Sequence, residues 1–133
     1  MSLPSKRQVD QQHLEGVRVL VVEDAWHVAN ALKSALEHVG MHVSGPAATT
    51  AEARRLIAKH MPRLAVVDVN LKREMASGLI EELHDQGVSV VVVSGYALPP
   101  VSVDKAAAFL QKPFSGSELL TALRRVVAQT RIH

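Results

Sequence analysis

The 133 residues are enough for one domain with a two-layer or three-layer core that needs no staples. With 47% hydrophobic and 21% charged residues the balance is that of an ordinary soluble globular protein, and the absence of cysteine excludes a disulfide framework and a thiolate metal site. A net charge of +2 without a basic stripe, together with only four aromatic residues, argues against direct nucleic-acid binding, and no apolar run nears the roughly 18 residues of a membrane span. No apolar leader follows Met1, so no membrane partner is expected and the expected location is cytoplasmic.

Residues 1–15 are polar, lack periodicity and carry Pro4, which predicts a flexible amino-terminal extension ahead of a folded domain over 16–130. Val17-Arg-Val-Leu-Val-Val22 reads as a central strand ending in Glu23-Asp24. Val28, Ala29, Leu32, Ala35, Leu36 and Val39 then recur at helical spacing, and Gly40 closes that helix. A short second strand over 41–44 is expected to turn at Gly45-Pro46. Thr49 and Glu52 stand at capping-box spacing and open a second helix, which Pro62 stops.

The third strand, Leu64-Ala-Val-Val-Asp68, ends in a single carboxylate with Asn70 two residues on. The segment 72–78 follows, then a third helix from about Gly78 to Asp85. The fourth strand spans 88–93 and ends in Ser94. Residues 97–105 carry Pro99-Pro100 and predict either a short helix or mostly loop. A short fifth strand, about 107–110, leads to Lys112. Ser115 and Glu118 form a second capping box for a last helix whose inner face is Leu119, Leu120, Leu123, Val126 and Val127.

Strict alternation of strand and helix argues for an α/β fold: a doubly wound, five-stranded parallel sheet of order 2-1-3-4-5, the flavodoxin-like arrangement. Ligands then sit beyond the carboxyl ends of the strands, where Glu23, Asp24, Asp68, Ser94 and Lys112 would converge. Singly, each has a plain structural role: Glu23-Asp24 as caps, Asp68 and Ser94 as turn residues, Lys112 as solvated charge. Their joint occurrence at strand ends points to chemistry.

Three convergent carboxylates repel one another unless a cation joins them. An all-oxygen set suits Mg²⁺ or Mn²⁺, with Asp24 and Asp68 as direct ligands, Glu23 through water, and the backbone carbonyl of Asn70 completing the sphere. A carboxylate in that setting can attack a phosphoryl group, with Lys112 and Ser94 offering an ammonium and a hydroxyl to its oxygens.

The motifs Leu20-Val-Val-Glu-Asp24, Val66-Val-Asp-Val-Asn70, Val92-Val-Ser-Gly95 and Leu110-Gln-Lys-Pro-Phe114 together resemble the receiver domain of two-component response regulators, over about residues 16–130. The resemblance implies that Asp68 accepts phosphate from a histidine kinase or histidine phosphotransfer protein, with Glu23 and Asp24 as the acidic pair. It also implies that Ser94 and Lys112 read the phosphoryl group, that the Lys112-Pro113 bond is cis, and that Phe109 is the switch aromatic. Asn70 and Tyr96 fall on the positions that tune phosphate loss.

Two features depart from the family pattern: Leu71-Lys72 replaces the usual proline after the acceptor, and Gly78 comes late, so the loop over the site is expected to be longer. The length fits a stand-alone receiver that signals to an unknown downstream protein, a phosphoacceptor rather than a turnover enzyme. The alternatives are a Mg-dependent phosphatase of haloacid-dehalogenase type, which wants an aspartate where Asn70 stands, and a receiver-like interaction module that is not phosphorylated.

Overall fold

The computed structural model describes residues 14–95 and 103–130. Strands β1 (Arg18–Val22), β2 (His42–Ala47), β3 (Leu64–Asp68), β4 (Ser89–Ser94) and β5 (Ala108–Gln111) form one parallel sheet of order β2-β1-β3-β4-β5. Helices α1 (Trp26–His38), α2 (Thr50–His60), α3 (Ser77–Asp85) and α4 (Gly116–Thr130) cover its two faces. This is the doubly wound architecture that the alternation of elements predicts.

Successive strand side chains point to opposite faces, and the core divides accordingly. Val19, Val21, Leu64, Val66, Val91 and Val93 pack with Leu32 and Leu36 of α1 and with Leu119, Leu123, Val126 and Val127 of α4. Leu20, Val22, Ala65, Val67, Val90 and Val92 pack with Ala53 of α2 and with Leu79, Ile80 and Leu83 of α3. The central strands β1, β3 and β4 are apolar on both sides because helices cover both sides.

Three expectations are refined. Leu14, inside the stretch read as extension, is fully buried in the first of these clusters, so core packing reaches at least that residue. Gly45-Pro46 does not end β2; the strand runs through it to Ala47, with a register shift between Leu20 and Val22 on β1. Proline is tolerated there because β2 is an edge strand and the ladder is already interrupted. Between β4 and β5, only a 3₁₀ turn over Val103–Lys105 stands among the described residues. Tyr96 and the rest of 96–102 lie outside them, as do residues 1–13.

Gly45 has φ +95°, and a Cβ there would lie 2.7 Å from the Ala47 amide nitrogen and 2.9 Å from the Val21 carbonyl oxygen. Both obstacles are backbone. Gly45→Ala is therefore expected to cost about 2 kcal/mol or more, read as a lower urea midpoint with an unchanged slope.

The capping boxes form with one difference. At α4, Ser115 Oγ accepts from the Glu118 amide at 3.1 Å, and Glu118 returns the bond to the Ser115 amide at 3.2 Å. At α2, Thr49 Oγ1 accepts from the Glu52 amide, but the Glu52 carboxylate reaches the Ala48 amide instead.

Candidate phosphoacceptor site

The sheet delivers its polar residues to one rim. Val22 pairs in register with Val67, so Glu23 and Asp24 leave β1 at the level where β3 ends in Asp68. Asp68 is level with Val93, which puts Ser94 one residue further along the neighbouring strand. The Lys112 amide donates to the Ser94 carbonyl at 2.8 Å, carrying Lys112 to the same rim. The Lys112-Pro113 peptide is cis, as the resemblance implies; Gly45-Pro46 is cis as well.

Asp68 and Glu23 are buried, at 5% and 3% exposure, because the loops that leave the strands fold over them. Carboxylate oxygens of Glu23, Asp24 and Asp68 lie within 4.8 Å of one another. The Lys112 ammonium bridges two of them, at 2.8 Å to Glu23 Oε1 and 2.9 Å to Asp68 Oδ2. Asp68 Oδ1 accepts from the Asn70 amide at 3.0 Å, and Glu23 Oε2 accepts from the Ala25 amide at 3.4 Å. Asp24 Oδ2 accepts from the Lys72 amide, so the loop after β3 closes onto the loop after β1.

Burial pushes the Glu23 carboxyl above its ordinary value; the Lys112 bond works against that rise and Asp68 adds to it. For Lys112, burial works downward, but the bonds to Glu23 and Asp68 outweigh it and the ammonium is held above its usual range. Lys112 is thus a firmly protonated group inside a surplus of negative charge. Three carboxylates against one ammonium, all with oxygen donors and no sulfur or imidazole among the described residues of the cluster, fit a hard divalent cation.

Ser94 is buried at 2% exposure. Phe109 is in register with Val92 on the edge strand and is 37% exposed, so it is not a closed core residue. Trp26 opens α1 two residues after Asp24 and is 74% exposed.

The loop over the site contains contacts that no local pattern announces. The Leu71 amide donates to the Glu74 carbonyl and the Ala76 amide to the Val69 carbonyl, with a bridge between Asn70 and Met75, so the segment is a tight hairpin. Glu74 then reaches the first residue of α2. Its carboxylate accepts from the Thr50 hydroxyl at 2.5 Å and from the Thr50 amide at 3.1 Å. The Thr50 hydroxyl and amide hold the Glu74 carboxyl below the usual carboxylate value. Such a group supports the fold above its unfolded value of 4.5 and loses that support as pH falls through its lower folded value. The stability difference between the wild type and Thr50→Val is therefore expected to shrink below that window, as followed by thermal unfolding across an acid series.

The family profile described as the response regulator receiver domain matches residues 19–124. The chain belongs to that family. The receiver is 30% identical over 124 residues to the C4-dicarboxylate transport transcriptional regulatory protein DctD of Pseudomonas aeruginosa, covering 86% of this chain and 26% of that protein. It is 29% identical to the transcriptional regulatory protein PdtaR of Mycobacterium tuberculosis, over 86% of this chain and 58% of that one. The receiver thus spans only part of these regulators, between about a quarter and somewhat over half of their length. With the chemotaxis protein CheY of Thermotoga maritima it shares 28% identity over 84% of this chain and 98% of that one.

Among solved structures, a CheY-like receiver domain protein from Methanospirillum hungatei superposes with a TM-score of 0.76 at 26% identity, over 88% of this chain and 98% of that one. The response regulator PhyR from Brucella abortus gives 0.81 at 20% identity, over 96% of this receiver and 55% of that chain, a likeness of fold. These likenesses favour neither the phosphatase nor the non-phosphorylated module. Among the described residues, no helix is long and apolar enough to cross a membrane.

Proposed function

We propose that this receiver accepts a phosphoryl group on Asp68 from the phosphohistidine of a histidine kinase or histidine phosphotransfer protein, and that the acyl phosphate alters binding of a downstream protein. The observation that carries this reading is the Lys112 ammonium bonded to both Glu23 and Asp68 beside Asp24. In the transfer, an Asp68 carboxylate oxygen forms the new bond to phosphorus while the phosphorus–nitrogen bond of the donor breaks, its electron pair leaving with the imidazole. The protein's part is position and charge.

Asp24, Asp68 and the Asn70 carbonyl would hold Mg²⁺ or Mn²⁺, with Glu23 acting through water. When bound, that ion supplies positive charge against the carboxylates and the incoming phosphoryl oxygens. Lys112 stands within reach of Asp68 and turns its ammonium to an added phosphoryl oxygen; Ser94 offers its hydroxyl from the adjacent strand end. Phe109, on the edge strand and partly open to solvent, is the group whose rotation would report Ser94's new position on the surface. Asp68 acts as an acceptor, with at most slow loss of its phosphate, rather than as a turnover nucleophile.

Trp26 gives the test. Its fluorescence is expected to change on adding Mg²⁺ and again on adding beryllofluoride, a mimic of the phosphoryl group. A flat response to both, with no phosphoryl adduct detected by intact mass, would overturn the reading.

A further inference from the structure

We infer that Glu74 is a positioning residue for the acidic site: it clamps the hairpin after β3 to the start of α2 and so holds the Lys72 amide against Asp24. The inference deepens the proposed function and rests on its magnesium reading.

The chain of contacts is continuous. Thr50 is buried, at 7% exposure, and its hydroxyl and amide both donate to Glu74. Those groups are 24 residues apart in sequence, so the bonds fix one loop relative to another. Glu74 lies two residues from Lys72, within the turn that the Leu71 amide closes onto the Glu74 carbonyl. Lys72 in turn donates its amide to Asp24 Oδ2 across a separation of 48 residues. Arg54 backs the clamp, with its guanidinium 3.4 Å from Thr50 Oγ1 and paired at 2.9 Å with Glu82 of α3.

Asp24 needs such a support. It is half-buried, it lies among like charges, and Lys112 spends its bonds on Glu23 and Asp68. A cavity of about 220 Å³ opens beside it, lined by Asp24, Ala48, Thr49, Lys72, Arg73 and Glu74. Without the amide, repulsion from Glu23 and Asp68 would drive the carboxylate toward that space. Each carboxylate oxygen has two lone pairs, so the amide bond leaves Oδ1 and part of Oδ2 open to a cation while fixing their direction. Groups one step removed from a metal commonly set its affinity in this way, by about 10-fold to 100-fold. The lowered Glu74 carboxyl means that the clamp stays charged through the neutral range.

The experiment titrates Mg²⁺ into the full chain by calorimetry and follows Lys72 amide hydrogen exchange in the metal-free protein. Glu74→Ala is expected to weaken Mg²⁺ binding about tenfold and to speed exchange at Lys72. Glu74→Gln, which can accept from the Thr50 amide and bond its hydroxyl, should recover most of both. Glu81→Gln, which removes a charge from an exposed position on α3, should leave both unchanged. Should Glu74→Ala fail to fold, Thr50→Val carries the same expectation by removing the hydroxyl donor. Wild-type Mg²⁺ affinity in a folded Glu74→Ala protein would overturn the inference, as would a Glu74→Gln protein as weak as Glu74→Ala, because charge alone would then be acting. A wild-type chain that binds no Mg²⁺ would instead overturn the functional reading beneath it.

Discussion

Asp68→Asn is expected to abolish phosphoryl acceptance: after incubation with acetyl phosphate and Mg²⁺, the intact mass of the variant should stay at that of the unmodified chain while the wild type should gain one phosphoryl group. A carboxamide of the same shape cannot form the acyl phosphate, so the expected loss is complete. The fold should survive. The amide oxygen can still accept from Lys112 or the Asn70 amide, both of which now bond Asp68. One of three crowded carboxylates also becomes neutral, which relieves repulsion. The melting temperature of the metal-free variant is accordingly expected to equal or exceed that of the wild type. An adduct on the variant at wild-type stoichiometry would put the acceptor elsewhere.

Lys112→Met is expected to have the larger effect on stability. Removing one partner from a buried ion pair costs about 3–5 kcal/mol, because a charge is left in a poorly solvated place. Here Glu23 is 3% exposed and Asp68 5%, but the lysine side chain is 31% exposed and water reaches the rim. The expected cost is therefore nearer 2 kcal/mol, or about 8–10 °C in melting temperature for a domain of this size. Adding Glu23→Gln to that variant should restore part of the loss, since it removes one of the two stranded charges. Equal melting temperatures for the single and double variants would mean that Glu23 is solvated well enough without the lysine.

The sheet was legible because its signal is local. Three runs rich in valine and leucine, interrupted by a charge only at Arg18 near the start of the first, mark strands covered on both sides, and the helical spacing between them fixes the crossovers. The rim residues were legible for a related reason, since a polar group that ends such a run has nowhere to go but the strand's carboxyl end. Pairings across long separations left no such trace. Nothing near Glu74 in the sequence names Thr50 as its partner, and nothing near Lys72 names Asp24.

The odd composition of 72–78 marked the loop as unusual without revealing that it folds into a hairpin. The sequence pattern suggests Lys112 as a partner for a phosphoryl group, yet in the structure its bonds go to Glu23 and Asp68, 89 and 44 residues away. Gly45-Pro46 looked like the end of a strand because proline removes an amide donor. Only the edge position of β2, a property of the whole sheet, lets the strand continue through it.

The alternation of Val90 and Val92 toward one helical layer, and of Val91 and Val93 toward the other, has a cost outside the native state. When the layers separate on heating, 88–93 becomes an uncharged segment of high β-propensity with no proline to interrupt it. Copies of that segment can stack on one another as readily as on β3. Recovery of signal after thermal unfolding should therefore fall as protein concentration rises, and the heated chain should scatter light, with β4 as the nucleating stretch.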